Sequence, residues 1–268
     1  MFTSMKSPIC LIAIALCIFC QSCEEAPSTP DGFQIEPDFT LERVAAEPLI
    51  KDPVDLEFNE RGDAMVLEMP GYPFEDTHSR LLVLKDQDQD GVYDQTTVFA
   101  ENLQLASSFM PYQKGALVAA PPYLLFLHDE DQNYVAEKVD TLMGGFSNGN
   151  LQHNFNGLTH GLDGWIYAAN GGNDGRPYWW GDTTTAVDLR GQDFRINLKT
   201  RTLERLGKSS GGFELAVDEY GRIFETHNLR HISHLVFPER YKRGKTLLQE
   251  HSLENISDHE ENGLARIY

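Results

Sequence analysis

Cysteine is missing from nearly all of this chain. All four residues, Cys10, Cys17, Cys20 and Cys23, fall within the first 23 of 268 positions. The rest can therefore form no disulfide and do no cysteine chemistry; its core alone has to hold it. Positive charge is scarce as well: 22 Lys and Arg face 41 Asp and Glu, a formal net charge of −19. Such a surface repels phosphate backbones, which argues against nucleic acid as a partner. It suits an exported soluble domain or one that binds cations. No stretch keeps a long helical period, and the haem signature C-x-x-C-H is absent. What remains is 41% apolar with 10% aromatic, enough core for one large domain or two small ones.

The cysteine-bearing leader is not part of the fold. Lys6 is followed by "SPICLIAIALCIFCQSC", an apolar run too short for a comfortable membrane span and typical of a signal peptide. Ser22 precedes Cys23, and polar "EEAPSTPDG" follows. That junction resembles a bacterial lipoprotein signal, although Cys20 stands where Leu is usual. The expected organisation is a signal over 1–22, a Pro-rich tether over 23–38 and one domain over 39–268. A lipid on Cys23 would anchor the protein at the cell envelope, in the periplasm or at the outer membrane. Plain cleavage or an uncleaved anchor is the alternative.

Beyond the tether, apolar residues alternate in short runs bounded by Gly, Pro, Asn and Asp, the pattern of an all-β chain. One hairpin recurs four times: "VDLEFNERGDAMVLEM", "SSFMPYQKGALVAAP", "LTHGLDGWIYAAN" and "FELAVDEYGRIFETHN". Their turn glycines, Gly62, Gly115, Gly164 and Gly221, are 53, 49 and 57 residues apart. Two further strand-like runs trail each hairpin: "RLLVLK" and "TTVFAEN", "YLLFLH" and "YVAEKVD", "DFRINL" and "TLERLG", "ISHLVF" and "TLLQEH". Four antiparallel strands repeating near 50 residues predict a β-propeller, with about four blades present. Relatives close with more blades than four, so the expectation is the front part of a six-bladed propeller, with "LARIY" opening a fifth blade.

In a blade the first strand lines the central channel and the Gly turn lies on one face. Residues just before the first strand and just after the second then share the opposite rim. Glu68, Asn170 and His227 each stand six residues beyond a turn glycine, with Asn228 following. His153, Asn154 and Asn156 precede the third inner strand. "NGGNDG", carrying Asn173 and Asp174, offers permissive backbone where a ligand could approach, and Arg176 follows it. Polar groups converging on one channel mouth predict a small-molecule site.

At these residues a family resemblance emerges. "DPVDLEFNERGDAMVLEM", "RLLVLKDQDQDGVYD", "QHNFNGLTHGLDGWIYAANGG" and "GGFELAVDEYGRIFETHNLRHISHLVFPERY" resemble the membrane-bound dehydrogenase family of exported bacterial propeller proteins, over roughly Phe39 to Tyr268. That family is similar to soluble quinoprotein glucose dehydrogenase, and some members carry a downstream c-type haem domain. The resemblance implies a sugar or alcohol substrate, pyrroloquinoline quinone as cofactor, His153 as general base and a cytochrome c domain or partner. The family's cofactor-binding Arg-Asn pair falls near Ser210–Gly211, where this sequence carries neither residue.

Other stretches invite chemistry. "DQDQDGVYD" places Asp86, Asp88, Asp90 and Asp94 at loop positions 1, 3, 5 and 9, with Gly91 at 6 and the Val92 carbonyl next. This is a set of hard oxygens around a tight turn, suited to calcium. The alternative is a merely solvated acidic loop. "DEDQN" in the second blade is its echo without the glycine. "THNLRHISH" groups His227, His231 and His234 at a spacing that fits neither a helix face nor a clean strand alternation, so rim hydrogen bonding is favoured over zinc. "RPYWWGD" could stack its aromatics on a sugar or pack over a blade edge, and packing is favoured. Two functions stay open: a quinone-dependent oxidoreductase, and a non-catalytic ligand-binding or electron-transfer scaffold.

Overall fold

The computed structural model describes residues 32–71, 78–148, 151–227, 230–241 and 252–257. The chain divides into two units, Met1–Val44 and Ala45–Tyr268. The described part of the first carries no strand; a turn closes there from the Phe39 N–H to the Glu36 carbonyl at 3.0 Å. Cys23, the signal and most of the tether lie outside the described residues, as do Asn228 and the "LARIY" segment.

The second unit is built of four antiparallel sheets arranged as the blades of a β-propeller, with short 3-10 turns and no α-helix among the described residues. Blade 1 runs β1 (Pro53–Phe58), β2 (Ala64–Glu68), β3 (His78–Lys85) and β4 (Gln95–Gln104) in that order. Blade 2 holds β5 (Ser108–Pro111), β6 (Gly115–Ala120), β7 (Tyr123–His128) and β8 (Lys138–Phe146). Blade 3 is β9 (Asn156–His160), β10 (Ile166–Ala169), β12 (Gln192–Asn197) and β13 (Thr202–Lys208). Blade 4 is β14 (Leu215–Val217), β15 (Ile223–His227), β16 (Arg230–Leu235) and β17 (Leu253–Asn255).

Two details differ from the sequence reading. The excursion after β10 does not stay a loop: β11 (Gly175–Trp179) crosses to pair with β8 and becomes a fifth, outermost strand of blade 2. There Trp180 meets Tyr123 edge-on at 5.6 Å and stacks beside Tyr178 at 6.5 Å. The tryptophans thus cover a blade edge, as packing required. The outer strand of blade 4 among the described residues is Leu253–Asn255; the "TLLQEH" run expected there lies outside the described residues.

The second strands of blades 2 and 3 are buried on both faces, because each of these blades stacks on two neighbours. Met65 and Leu67 pack with Ala116, Val118 and Phe109 between blades 1 and 2. The alternate residues of β6, Leu117 and Ala119, turn the other way and meet Leu158, Ile166, Ala168 and Phe194 of blade 3. Tyr167 and Ala169 in turn face Leu215 and Ile223 of blade 4. Each large side chain so buried contributes about 1.5–3 kcal/mol.

Inner strands are also laced by hydrogen bonds. Asp55 Oδ2 accepts the Phe109 N–H at 2.9 Å, Ser108 Oγ accepts the Gly157 N–H at 3.1 Å, and Asn156 Oδ1 accepts the Glu214 N–H at 2.7 Å. One short acceptor side chain per blade therefore receives the backbone of the next blade.

Candidate functional site at the channel rim

The rim is built on the turn that enters blade 3. Leu151–His153 form one 3-10 turn, and Phe155 then drops into the core. Its ring stacks on Phe146 at 4.0 Å and meets Phe194 at 5.9 Å, so the turn is nailed to the junction of blades 2 and 3. His153, two residues earlier, is held half-buried. Its Nδ1 lies 2.9 Å from the Gly211 carbonyl, and its ring stacks with Phe213 at 5.8 Å. A carbonyl can only accept, so Nδ1 carries a proton, and in the neutral ring Nε2 keeps the lone pair. Gly171, at φ 60°, passes so close to the His153 carbonyl that any Cβ there would overlap it. The "NGG" backbone therefore serves close packing around His153.

Asparagines supply the scaffold of this rim. Asn173 Nδ2 donates to the His153 carbonyl, and Asn170 Nδ2 donates to the Asn173 carbonyl. Asn156 is fully engaged, donating to the Asn154 carbonyl at 2.9 Å and accepting from Glu214. Asn154 is different. It is buried, and neither its Oδ1 nor its Nδ2 has a hydrogen-bond partner among the described residues. A buried amide in that condition calls for a water or a ligand.

His227 reaches the same place from blade 4. Gly211 lies against its ring, and burial first, then Arg230 and His153, hold its pKa below the ordinary histidine value. The structure thus brings together His153, Asn154, Asn156, Asn170, Asn173 and His227. It does not bring in Glu68, which is fully buried at the end of β2 and already engaged. Its Oε1 accepts the Lys51 N–H at 2.5 Å and its Oε2 pairs with Arg80 at 2.5 Å. Asp174 is exposed, and Arg176 sits exposed on β11 at the outer edge of blade 2. Asn228 lies outside the described residues.

Four acids here escaped the sequence reading. Glu57 and Glu214 approach from blades 1 and 4, and both are pushed up to about 7. Burial is the main cause for each, followed by Asp55 for Glu57, and by Asp55 and Glu57 for Glu214. Beneath His153 and His227, Asp193 and Glu225 are buried side by side. Burial, then the charge of Asp193, pushes Glu225 up to about 9, and burial raises Asp193 too. The available signal was an acid at an inward position of an otherwise apolar strand, as in "VDLEF" and "DFRIN".

The acidic loops lie on the opposite face. Asp86, Asp88 and Asp90 bring carboxylate oxygens within 4.8 Å of one another at the turn between β3 and β4. Asp86 Oδ1 accepts the Gln89 N–H at 2.7 Å, Asp86 Oδ2 accepts the Gly91 N–H at 2.9 Å, and Asp90 accepts the Val92 N–H at 2.8 Å. Asp94 closes the hairpin through its own N–H to Lys85 and stands outside this cluster. The echo in blade 2 still gathers three acids, Asp129, Asp131 and Glu137. Among the described residues no histidine group of metal-binding geometry occurs, so the "THNLRHISH" run forms no such cluster; His234 instead stacks on Phe224 at 5.0 Å.

Comparison with known proteins agrees with this architecture. The holo form of the pyranose dehydrogenase PQQ domain from Coprinopsis cinerea matches with a TM-score of 0.55 at 14% identity, over 76% of this chain and 50% of that one. The likeness is one of fold, a quinoprotein-like propeller, and the chain spans half the length of that domain. No curated protein matches the sequence. A family model does match residues 26–267, nearly the whole chain, and the protein belongs to that family, described as a domain of unknown function, DUF7133.

Proposed function

We propose that the rim around His153 binds a small hydroxyl-bearing molecule, a sugar or an alcohol, and that His153 Nε2 accepts its proton. The observation that carries this is the 2.9 Å contact of Nδ1 with the Gly211 carbonyl, which leaves Nε2 as a fixed acceptor. Asn154 supplies a buried donor and acceptor with no partner among the described residues, the kind of group that orients a hydroxyl. The fold likeness to a pyranose dehydrogenase domain supports a sugar-oxidising role.

That role would require pyrroloquinoline quinone, which takes up the hydride when bound. Its carboxylates need cations, and the described residues here fit it poorly. Ser210–Gly211 offers no charge, Arg80 is taken by Glu68, and Glu57 and Glu214 bring carboxyl groups rather than cations to the channel. This mismatch gives weight to the second reading, a non-catalytic propeller without its own quinone that binds a ligand or serves as a scaffold on which a cytochrome c domain or partner docks. In both readings we place calcium at Asp86, Asp88 and Asp90 as a structural ion, and the protein at the cell envelope through lipidated Cys23. Mass spectrometry of the mature N-terminus should find acylated Cys23; an unmodified N-terminus removes the anchor.

The test titrates sugars and alcohols into the protein while following the imidazole NMR signals of His153 and His227. Shifts in the native protein, lost in His153→Ala, are expected. If no hydroxyl ligand perturbs either ring, the site assignment fails. Absorbance titration with the quinone separates the readings: a stable stoichiometric complex restores the dehydrogenase, whose turnover should then fall by roughly 10²–10⁴-fold in His153→Ala.

A further inference from the structure

Asp193 and Glu225 are buried acids for which the proposed chemistry has no step. Asp193 lies on β12 of blade 3 and Glu225 on β15 of blade 4, both buried, and the two carboxyls lie close enough across the blade junction to act on each other. Asp193 Oδ1 accepts the Asn170 N–H at 2.7 Å, and the Ser209 side chain hydrogen-bonds Asp193 as well. Glu225 Oε2 accepts the Ser210 N–H at 2.9 Å. The remaining oxygens, Asp193 Oδ2 and Glu225 Oε1, are buried with no hydrogen-bond partner among the described residues, as two facing carboxylates without a proton would be.

Charge explains why this pair is unusual. Two carboxylates in contact, shut away from water, repel each other on top of their desolvation cost. Among the described residues no cation stands among the influences on either acid. Arg195, two residues along β12, spends its guanidinium on Glu204 at 2.6 Å and Asp163 at 2.7 Å. The other titratable groups of this rim are His153 and His227, with Arg230 acting on His227, and the channel acids Glu57 and Glu214, which act on each other and with Asp55. A proton held between the acids removes one charge and turns the contact into an O–H···O⁻ hydrogen bond, the strong kind.

We propose that Asp193 and Glu225 share one proton and together position His153. Two arms lead from the pair to that residue. On one side Asp193 holds the Asn170 N–H, Asn170 holds the Asn173 carbonyl, and Asn173 holds the His153 carbonyl. On the other, Glu225 fixes the Ser210 amide, and one residue further on the Gly211 carbonyl receives His153 Nδ1–H. The Ser209 hydroxyl braces the same bend by accepting the Gly211 N–H at 3.1 Å. The loop closes on itself: ring, carbonyl, amide, shared proton, amide, asparagines, and back to the main chain of His153. The proton stays in place, and nothing is transferred. Its loss would leave two adjacent buried charges and push the two arms apart.

This inference deepens the role given to His153 and rests on it only for chemical purpose. The positioning is read from the imidazole without turnover, so its failure and that of the base assignment are distinguishable. Infrared spectra of the native protein at neutral pH should contain a protonated-carboxyl band that Glu225→Gln removes. Nitrogen NMR should find His153 in its Nδ1–H form in both proteins. A carboxamide can still donate to Asp193 and accept from Ser210, so Glu225→Gln is the conservative rescue. Glu225→Ala leaves Asp193 charged and the Ser210 N–H unpaired, and should shift the His153 tautomer balance or its ring signals. If Glu225→Ala does not fold, alkaline titration decides: the His153 signals should move as the pair ionises, near 9, and Glu225→Gln should abolish that step. The proposal is overturned by the absence of the carboxyl band, by a stoichiometric bound cation that Glu225→Gln releases, by unmoved His153 signals in folded Glu225→Ala, or by no alkaline step.

Discussion

Asn156 Oδ1 accepts the backbone N–H of Glu214 at 2.7 Å, joining the inner strand of blade 3 to that of blade 4. Asp55 and Ser108 do the same two blades and one blade earlier, from slots seven residues before their turn glycines; Asn156 stands eight before its own. Asn156→Ala would leave the Glu214 N–H unpaired at a blade junction. Stability should fall by about 1–3 kcal/mol, measured by urea unfolding, with Asn156→Asp retaining part of it because the acceptor remains. Equal midpoints for native protein and Asn156→Ala would show that the lacing is not energetic.

The acids of the channel set a pH dependence with a definite sign. Glu57 and Glu214 are raised to about 7 and Glu225 to about 9, with Asp55 raised by burial. Each holds its proton more tightly folded than unfolded. Their stabilising contribution is therefore whole below the ordinary carboxylate range and is lost as pH rises through about 7 and then about 9. His227, lowered, runs the other way and loses its contribution as pH falls through its depressed value. The acids outnumber it, so the melting temperature should rise on going from about pH 9 to about pH 6 at fixed ionic strength. Glu225→Gln should remove the most alkaline part of the slope. A melting temperature that climbs toward pH 9 contradicts these assignments.

The blade repeat was legible because it is written in alternation and turn glycines, both local signals. His153, the rim asparagines and His227 were legible for the same reason, since a slot counted from a turn fixes a side chain's face. Glu68 shows where counting stops: it holds the same slot, but Arg80, twelve residues on, claims it. No spacing rule announces which cation a buried acid will find. Arg176 failed similarly, because its strand leaves blade 3 to pair with β8, a choice made by the tryptophans packing at that edge. The Asp193–Glu225 contact joins residues 32 apart on different blades, and only the stacking of blades creates it.

Calcium at the blade 1 loop can be tested without disturbing the turn. Asp86 caps backbone N–H groups of its own loop, so its removal would destabilise the protein with or without an ion. Asp88 is exposed, and its pKa is raised chiefly by the charge of Asp90, a repulsion that a divalent cation would relieve. Chelator should lower the melting temperature of native protein and added calcium restore it, by about 2.7 kcal/mol at a hundredfold excess over Kd. Asp88→Asn should lose most of that response. Identical melts with chelator and with calcium would leave the loop simply solvated.

The terminal blades present apolar faces that the described residues do not cover. On β1, Val54, Leu56 and Phe58 are 41%, 51% and 57% exposed, and Leu56 and Phe58 lie in register with Val66 and Ala64, on the side turned away from blade 2. Blade 4 exposes Ile232 and Ile256 at 46% and 52%. Glu214, seven residues before Gly221, holds the slot from which Asp55, Ser108 and Asn156 receive the next inner strand, and among the described residues its carboxylate receives none. Unfilled acceptors beside bare apolar faces favour association with further strands. The 268-residue chain by itself is expected to self-associate with rising concentration, as light scattering would report. Leu56→Lys, which places a charge in the middle of the β1 face without touching the blade 1–2 core, should suppress the association and leave the melting temperature nearly unchanged. A monodisperse monomer at high concentration, indifferent to that substitution, would mean these faces are tolerated in water.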